Sequence, residues 1–132
     1  MSNTRFINPP TISKPPGYTH VVEITGPARI VYIAGQLGTD LNGQVVGDFR
    51  AQTEQAFANL KSALDAVGAK AEHIVKINNY IVEIGKNIGA FREVRDKNLN
   101  MAAPPASTTV GVPELARPGA LFEIEAIVML PS

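Results

Sequence analysis

The order of predicted elements indicates an α+β fold in which two helices cover one face of a sheet. Three observations predict it: a long segment whose apolar residues recur at helical spacing, a second and shorter segment of the same kind, and strand-like segments before, between and after them. No linker and no repeat interrupts the 132 residues, so we expect one domain over residues 1–132. A chain of this length buries about two-thirds of its unfolded surface, which is enough for a hydrophobic core.

An extended arm and two strands are predicted for the N-terminal part. The first seventeen residues contain four prolines, which favours an extended arm ending in a turn at Gly17. Strands are expected at residues 20–25 and 29–34, and Gly26-Pro27 between them is typical of a hairpin. A further turn is indicated by small and polar residues at Asp40, Asn42 and Gly43.

Both helices are predicted from apolar residues that recur at spacings of three and four. The first begins with Asp48 as its N-cap and ends just before Gly68. The second begins with Asn87 as its N-cap and ends before Pro104, because proline cannot continue a helix. The remaining strands are expected at residues 73–83, 106–112 and 121–130.

The faces of the predicted strands indicate an assembly. In residues 122–130 one face is apolar, and the other mixes two glutamates with Ile127 and Met129. Residues 30–34 are apolar on both faces, which is typical of a strand covered on both sides. Two helices cover only one face, so the other would expose an apolar patch unless another subunit covered it. The sequence therefore predicts an obligate oligomer; the alternative is a monomer whose N-terminal arm and loops cover that face.

Composition excludes several classes of function. Lys+Arg and Asp+Glu number twelve each, so no net field attracts nucleic acid or anionic lipid. The chain has no cysteine, and His20 and His73 lack the spacing of metal ligands, so we expect no metal site. No phosphate-binding loop, signal peptide or membrane-spanning run is present. These features predict a cytoplasmic protein without a metal site.

Short motifs follow one another in a characteristic order along the chain. Gly17-Tyr18-Thr19-His20 precedes an apolar strand that ends in Ala34-Gly35-Gln36-Leu37. Gln52-Thr53 and Asn59-Leu60 lie in the first helix, and Glu123-Ile124-Glu125-Ala126-Ile127 lies in the last strand. In the order and spacing of these motifs the chain resembles the Rid family of YjgF-like enamine and imine deaminases, and it is identified as a member.

The resemblance implies both an architecture and a chemistry. It implies a chorismate-mutase-like α+β sandwich with a mixed sheet, and a homotrimer whose sheets pack around a central barrel. Clefts between the subunits bind small carboxylate-bearing ligands, and active members hydrolyse an enamine or imine to a ketone and ammonia without metal or cofactor. Because the carbon of a C=N bond is already electrophilic, such a site has only to hold the substrate, position a water and move protons.

The resemblance also implies roles for particular residues. Glu123 matches the family glutamate that positions the attacking water, and Tyr18 matches the tyrosine that lines the cleft. Two alternatives remain open: Glu123 pairs with a cation of a neighbouring subunit, and Tyr18 is a packed turn aromatic. Glu125 is expected to be structural. Substrate-binding positions are expected at Ser107, Thr109, Arg95, Ala34, Gly35, Gln36 and His20.

Several positions depart from the family pattern. Ser107 stands where active members carry an arginine that binds the substrate carboxylate through two parallel charge-assisted bonds. Ala34 replaces a usual serine, and Thr109 replaces a frequent cysteine. Arg95 stands where an asparagine commonly lines the cleft, and its guanidinium is placed to enter from the helix side. The alternative is a solvated helix arginine paired with Asp96 or Glu93.

Two functions follow from these matches and departures. The first is a cofactor-free deaminase for a particular enamine or imine. The 2-aminomuconate deaminases, which resemble this family, are an example of such enzymes. It is favoured because Glu123 and Tyr18 are both present. The alternative is a small-molecule-binding trimer with little or no deaminase activity. The endoribonuclease label of some relatives finds no support here, since charge is balanced and aromatic residues make up only 6% of the chain.

Overall fold

The computed structural model of the chain describes residues 3–132, which form two α-helices and two β-sheets. The helices are α1 (Phe49–Ala66) and α2 (Ile84–Asn98), and a short 3₁₀ helix spans Ala71–His73. The strands are β1 (Thr4–Ile7), β2 (Val21–Ile24), β3 (Ala28–Leu37), β4 (Ile74–Val82), β5 (Ala106–Val112) and β6 (Phe122–Pro131). No helix within these residues combines the length and the apolar character needed to span a bilayer.

The main sheet has four strands in the order β3-β6-β4-β5. It is mixed, because β4 and β5 are parallel whereas β6 is antiparallel to both of its neighbours. Both helices pack on one face, where the ring of Phe122 meets aromatic rings from α1 and α2 at centroid distances of 5.6 to 6.1 Å. The predicted α+β fold with two helices on one face is confirmed.

Helix α1 agrees with its sequence prediction, and α2 does not. Asp48 caps α1 by accepting a hydrogen bond from Ala51 N at 3.0 Å, and Gly68 follows the helix with φ +72°. The prediction of Asn87 as the N-cap of α2 is wrong. Glu83, at φ +53°, turns the chain directly from β4 into the helix, and Asn87 lies one turn inside, where its side chain donates to Val82 O.

The two predicted N-terminal strands are present, but they do not pair with each other. Strand β2 pairs with β1, and β3 pairs with β6, so the predicted hairpin around Gly26-Pro27 is wrong. The N-terminal arm is also less uniform than predicted, because Thr4–Ile7 forms a ladder with β2. Gly26, at φ +81°, bends the chain between β2 and β3 without joining them in a hairpin. The residues that pair with β2 lie fourteen to twenty positions away in the sequence, so a local pattern does not identify them.

The face of the main sheet opposite the helices exposes apolar side chains. Ile30 and Tyr32 of β3 are 53% and 76% exposed, and Val110 of β5 adds to the same face. The described part of the N-terminal arm, which begins at Asn3, leaves these residues exposed. The strand predicted to be buried on both sides is therefore open on one side within a single chain. A homotrimer, in which neighbouring subunits would cover this face, stays a prediction.

Candidate functional site

Glu123 lies on the open face of the sheet, above an irregularity in the neighbouring strand. The register between β3 and β6 shifts between Ile33 and Gln36, which is the signature of a bulge. A Cβ atom built on Gly35 would lie 1.9 Å from Glu123 Oε2. Any side chain at position 35 would therefore displace the carboxylate, so glycine is what allows Glu123 to occupy this position.

The environment of Glu123 favours its protonated form. Burial raises the pKa of the Glu123 carboxyl above its ordinary value, and the negative charge on Glu125 raises it further. Glu125 itself is held in place by hydrogen bonds from Asn78 Nδ2 at 3.2 Å and Tyr80 OH at 3.1 Å. The bond to Glu125 is the main cause that raises the pKa of the Tyr80 phenol.

Glu123 is not engaged by other side chains of its own chain. Within residues 3–132 its carboxylate has neither a hydrogen-bond partner nor a salt bridge. A half-buried carboxyl with a raised pKa and free oxygens is suited to accept a proton and return it.

Ser107 and Thr109 project from β5 toward the helix side of the sheet. In the sheet register Ser107 lies beside Ile77, and Thr109 lies beside Asn79. Asn79 Nδ2 donates to Ser107 Oγ and to Thr109 Oγ1, each at 3.1 Å. Asn79 is completely buried. The sequence prediction missed this residue, although it is a polar residue on the side of β4 where Ile77 and Ile81 are buried.

The segment that carries Tyr18 is attached to the start of β5. Thr19 N donates to Pro105 O at 3.2 Å, and the Thr19 hydroxyl donates to Pro104 O. The rings of Tyr18 and His20 meet edge to face with centroids 5.3 Å apart. A cleft of about 630 Å³ opens here, and its walls come from the N-terminal arm, Tyr18, Met101 and Pro104.

Arg95 lies beneath this segment. Its side chain is only 13% exposed, and its Nε donates to Asp96 Oδ1 at 2.9 Å. A Cβ on Gly17 would lie 2.6 Å from Arg95 Nη2, so the guanidinium packs against the backbone that precedes Tyr18. Asp96 is thus the ion-pair partner that the sequence suggested for Arg95, but the guanidinium is packed beneath the Tyr18 segment rather than solvated.

The predicted site residues fall into three groups: Tyr18, His20 and Arg95 lie at the segment attached to the start of β5, and the other two groups lie on opposite sides of the sheet. Glu123 shares its face with Tyr80 and Val110, whereas Ser107 shares its face with Ile77 and Ala126. The Glu123 group comprises Glu123 and the bulge residues Ala34, Gly35 and Gln36, whose amide donates to Ala34 O. The Ser107 group comprises Ser107, Thr109 and Asn79. One chain alone does not bring the two groups together.

Within residues 3–132, no three histidine, cysteine, aspartate or glutamate side chains are arranged to hold a metal ion. The polar groups that the two sides of the sheet present are carboxylates, hydroxyls and an amide.

Comparison with protein families assigns this chain to one family over nearly its whole length. The model of the endoribonuclease L-PSP family matches residues 11–130. A curated relative from Dermatophagoides farinae, named 2-iminobutanoate/2-iminopropanoate deaminase, is 36% identical over 135 residues, covering 98% of this chain and 99% of the relative.

Two solved structures share the fold over similar lengths. The Rid-family protein YyfB from Yersinia pestis, described as a protein of unknown function, superposes with a TM-score of 0.85 at 37% identity, covering 97% of this chain and 99% of that one. RidA from an Antarctic Psychrobacter gives a TM-score of 0.72 at 30% identity, with coverages of 96% and 99%.

Proposed function

Because this chain belongs to the endoribonuclease L-PSP family, which includes the YjgF and RidA proteins, we propose that it hydrolyses a small imine or enamine to a carbonyl compound and ammonia. The observation that carries the proposal is the Glu123 carboxyl, half-buried above Gly35, with a raised pKa and no partner in the described chain. The name of the Dermatophagoides farinae relative supports short 2-imino acids as the substrate class.

The proposed reaction needs one proton acceptor that later becomes a donor. Water attacks the imine carbon while Glu123 takes a proton from it and passes that proton to the imine nitrogen, which gives a neutral carbinolamine and restores the carboxylate. Glu123 then takes the proton of the carbinolamine hydroxyl and gives it to the departing nitrogen, as the C–N bond breaks and the carbonyl forms. One imine and one water become one carbonyl compound and one ammonia. A carboxyl whose pKa is raised toward neutrality is well matched to both steps.

We place this reaction in a cleft between two subunits of a homotrimer. Two observations support the placement. The Glu123 group and the Ser107 group lie on opposite faces of one sheet, so a second chain is needed to bring them near one ligand. The open face that carries Glu123 also exposes Ile30 and Tyr32, which is apolar surface that an obligate interface would cover.

The test of the proposed function is ammonia release from freshly generated 2-iminobutanoate and 2-iminopropanoate, measured against spontaneous hydrolysis. Wild-type protein should accelerate the release. Glu123→Gln preserves the shape of the side chain and removes the base, so its turnover should fall about a hundredfold or more. Equal rates for wild type and Glu123→Gln would show that Glu123 does not take part in the chemistry.

A second function is favoured by the departure at position 107. Ser107 offers one neutral hydroxyl where active members carry a guanidinium, so the carboxylate of a simple imino acid is held less strongly. A trimer that binds small carboxylates without hydrolysing imines would bind 2-oxobutanoate but give no ammonia above the spontaneous rate. The same assay therefore separates the two functions.

A further inference from the structure

The side-chain amide of Asn79 contacts both the Ser107 and the Thr109 hydroxyl, and its orientation decides whether these hydroxyls accept or donate hydrogen bonds there. The amide nitrogen carries two hydrogens and lies 3.1 Å from each hydroxyl oxygen. A third neighbour of the same nitrogen, the Thr108 carbonyl oxygen at 3.4 Å, can only accept a hydrogen bond. This carbonyl favours the amide orientation in which the nitrogen, and not the oxygen, is directed at β5.

With Asn79 as the donor, both hydroxyls act as acceptors toward it. Each hydroxyl then keeps its own proton for another partner, and neither donates to any other residue within the described chain. Both oxygens lie within hydrogen-bond distance of one nitrogen, so they are near enough to contact a single carboxylate. Both residues are only partly buried, so a ligand can reach them.

Packing alone does not account for an asparagine at this position. Asn79 is completely buried, and its Oδ1 has no hydrogen-bond partner among the described residues. An unsatisfied buried amide oxygen lowers stability, whereas an apolar residue between Ile77 and Ile81 would not. This loss of stability is explained if the amide nitrogen of Asn79 is needed to orient the two hydroxyls.

We propose that Asn79 is a positioning residue that makes Ser107 and Thr109 a pair of hydrogen-bond donors for the carboxylate of the ligand. This inference rests on the proposed function, since it assigns the binding of the substrate carboxylate. Two neutral donors in this pair take the place of the family arginine. They bind a carboxylate less strongly than a guanidinium, and they contribute no net charge to the site.

The inference is tested by calorimetric binding of 2-oxobutanoate, the ketone product expected from 2-iminobutanoate, and of 2-oxobutanamide, its uncharged analogue. Asn79→Val should weaken binding of 2-oxobutanoate about tenfold, the change expected when hydrogen bonds to a charged group are lost. Binding of 2-oxobutanamide should change much less. The melting temperature of Asn79→Val should be equal to or above that of wild type, because the unsatisfied oxygen is gone.

Asn87→Ala is the matched control, because Asn87 is another buried asparagine whose amide donates within the chain, to Val82 O. It should lower the melting temperature and leave the affinity for 2-oxobutanoate unchanged. Ser107→Ala combined with Thr109→Val should weaken the binding of 2-oxobutanoate at least as much as Asn79→Val does. Adding Asn79→Val to that pair should then have little further effect, because the hydroxyls it orients are absent.

Unchanged affinity in Asn79→Val, or in the Ser107→Ala, Thr109→Val pair, would overturn the inference. The pair supplies this answer even where Asn79→Val does not fold. Ammonia release by a wild-type protein that does not bind 2-oxobutanoate would also overturn it and would leave the proposed function standing. If the wild-type protein neither binds 2-oxobutanoate nor releases ammonia above the spontaneous rate, both the proposed function and the inference are wrong.

Discussion

The Glu123 carboxyl is more easily protonated in the folded protein than in the unfolded chain, and the consequence for stability has a definite sign. Its pKa is raised above the ordinary value of 4.5, first by burial and then by Glu125. Between 4.5 and the raised value the folded state binds more protons than the unfolded state, so stability falls as pH rises through that window. Below the window the protonated side chain carries no such penalty.

Glu123→Gln should therefore be more stable than wild type at neutral pH. The amide cannot ionise, so the variant avoids the cost of a half-buried charge beside Glu125. Thermal denaturation between pH 4 and 8 should show a difference in melting temperature that grows with pH and disappears near pH 4. A difference independent of pH would mean that Glu123 titrates normally in the folded protein.

Gly35 is the second residue on which the site depends. Its φ angle is not in the left-handed region, so alanine is compatible with the backbone, but a Cβ would lie 1.9 Å from Glu123 Oε2. Gly35→Ala should leave the fold intact, because the flexible glutamate can move aside. It should lower deaminase turnover about a hundredfold, since a shift of about 1 Å in a catalytic group has effects of that size. Circular dichroism and ammonia release measure the two effects, and retained turnover would contradict the geometry.

At the scale of elements, the sequence predicted well what depends on neighbours in the chain. The start and end of α1 were predicted because Asp48 and Gly68 act through local hydrogen bonds and local backbone conformation. The pairing of β2 with β1 and the entry into α2 at Glu83 were not predicted. The first depends on a distant partner, and the second depends on a left-handed conformation that glutamate rarely adopts.

The same distinction applies to the candidate site. Tyr18 and Glu123 were each predicted from a short local motif, one near each end of the chain. Asn79 was missed because its importance comes from the parallel register that sets it beside Thr109, and a register between distant strands is not evident from local pattern.

The cap of α1 gives a prediction at this scale. Asp48→Ala removes the side chain that accepts from Ala51 N at 3.0 Å, so stability to urea should fall by about 1 kcal/mol. Asp48→Asn keeps an acceptor and should restore most of the loss. Equal stability of the alanine variant and wild type would show that another group satisfies the first turn.

For the whole molecule, the division of the site between the two faces of the sheet is the decisive feature. A single chain holds Glu123 on one face and Ser107 with Thr109 on the other. In the proposed trimer, assembly would do two things: cover Ile30 and Tyr32, which are exposed in the single chain, and join the two groups around one ligand. Catalysis and oligomerisation should then be lost together, because a monomer has no complete site.

Complementation between two variants, each impaired in a different group of the site, tests this account most directly. Glu123→Gln trimers and trimers carrying Ser107→Ala with Thr109→Val are each assayed alone at substrate concentrations well below saturation, then unfolded together in equal amounts, refolded and assayed in the same way. Light scattering should give about three times the chain mass of 14.1 kDa in every sample. If each cleft takes Glu123 from one subunit and the hydroxyl pair from the next, random assembly restores both wild-type groups in about a quarter of the clefts. Ammonia release near a quarter of the wild-type rate is the predicted result, and a mixture no more active than its components would contradict a site shared between subunits.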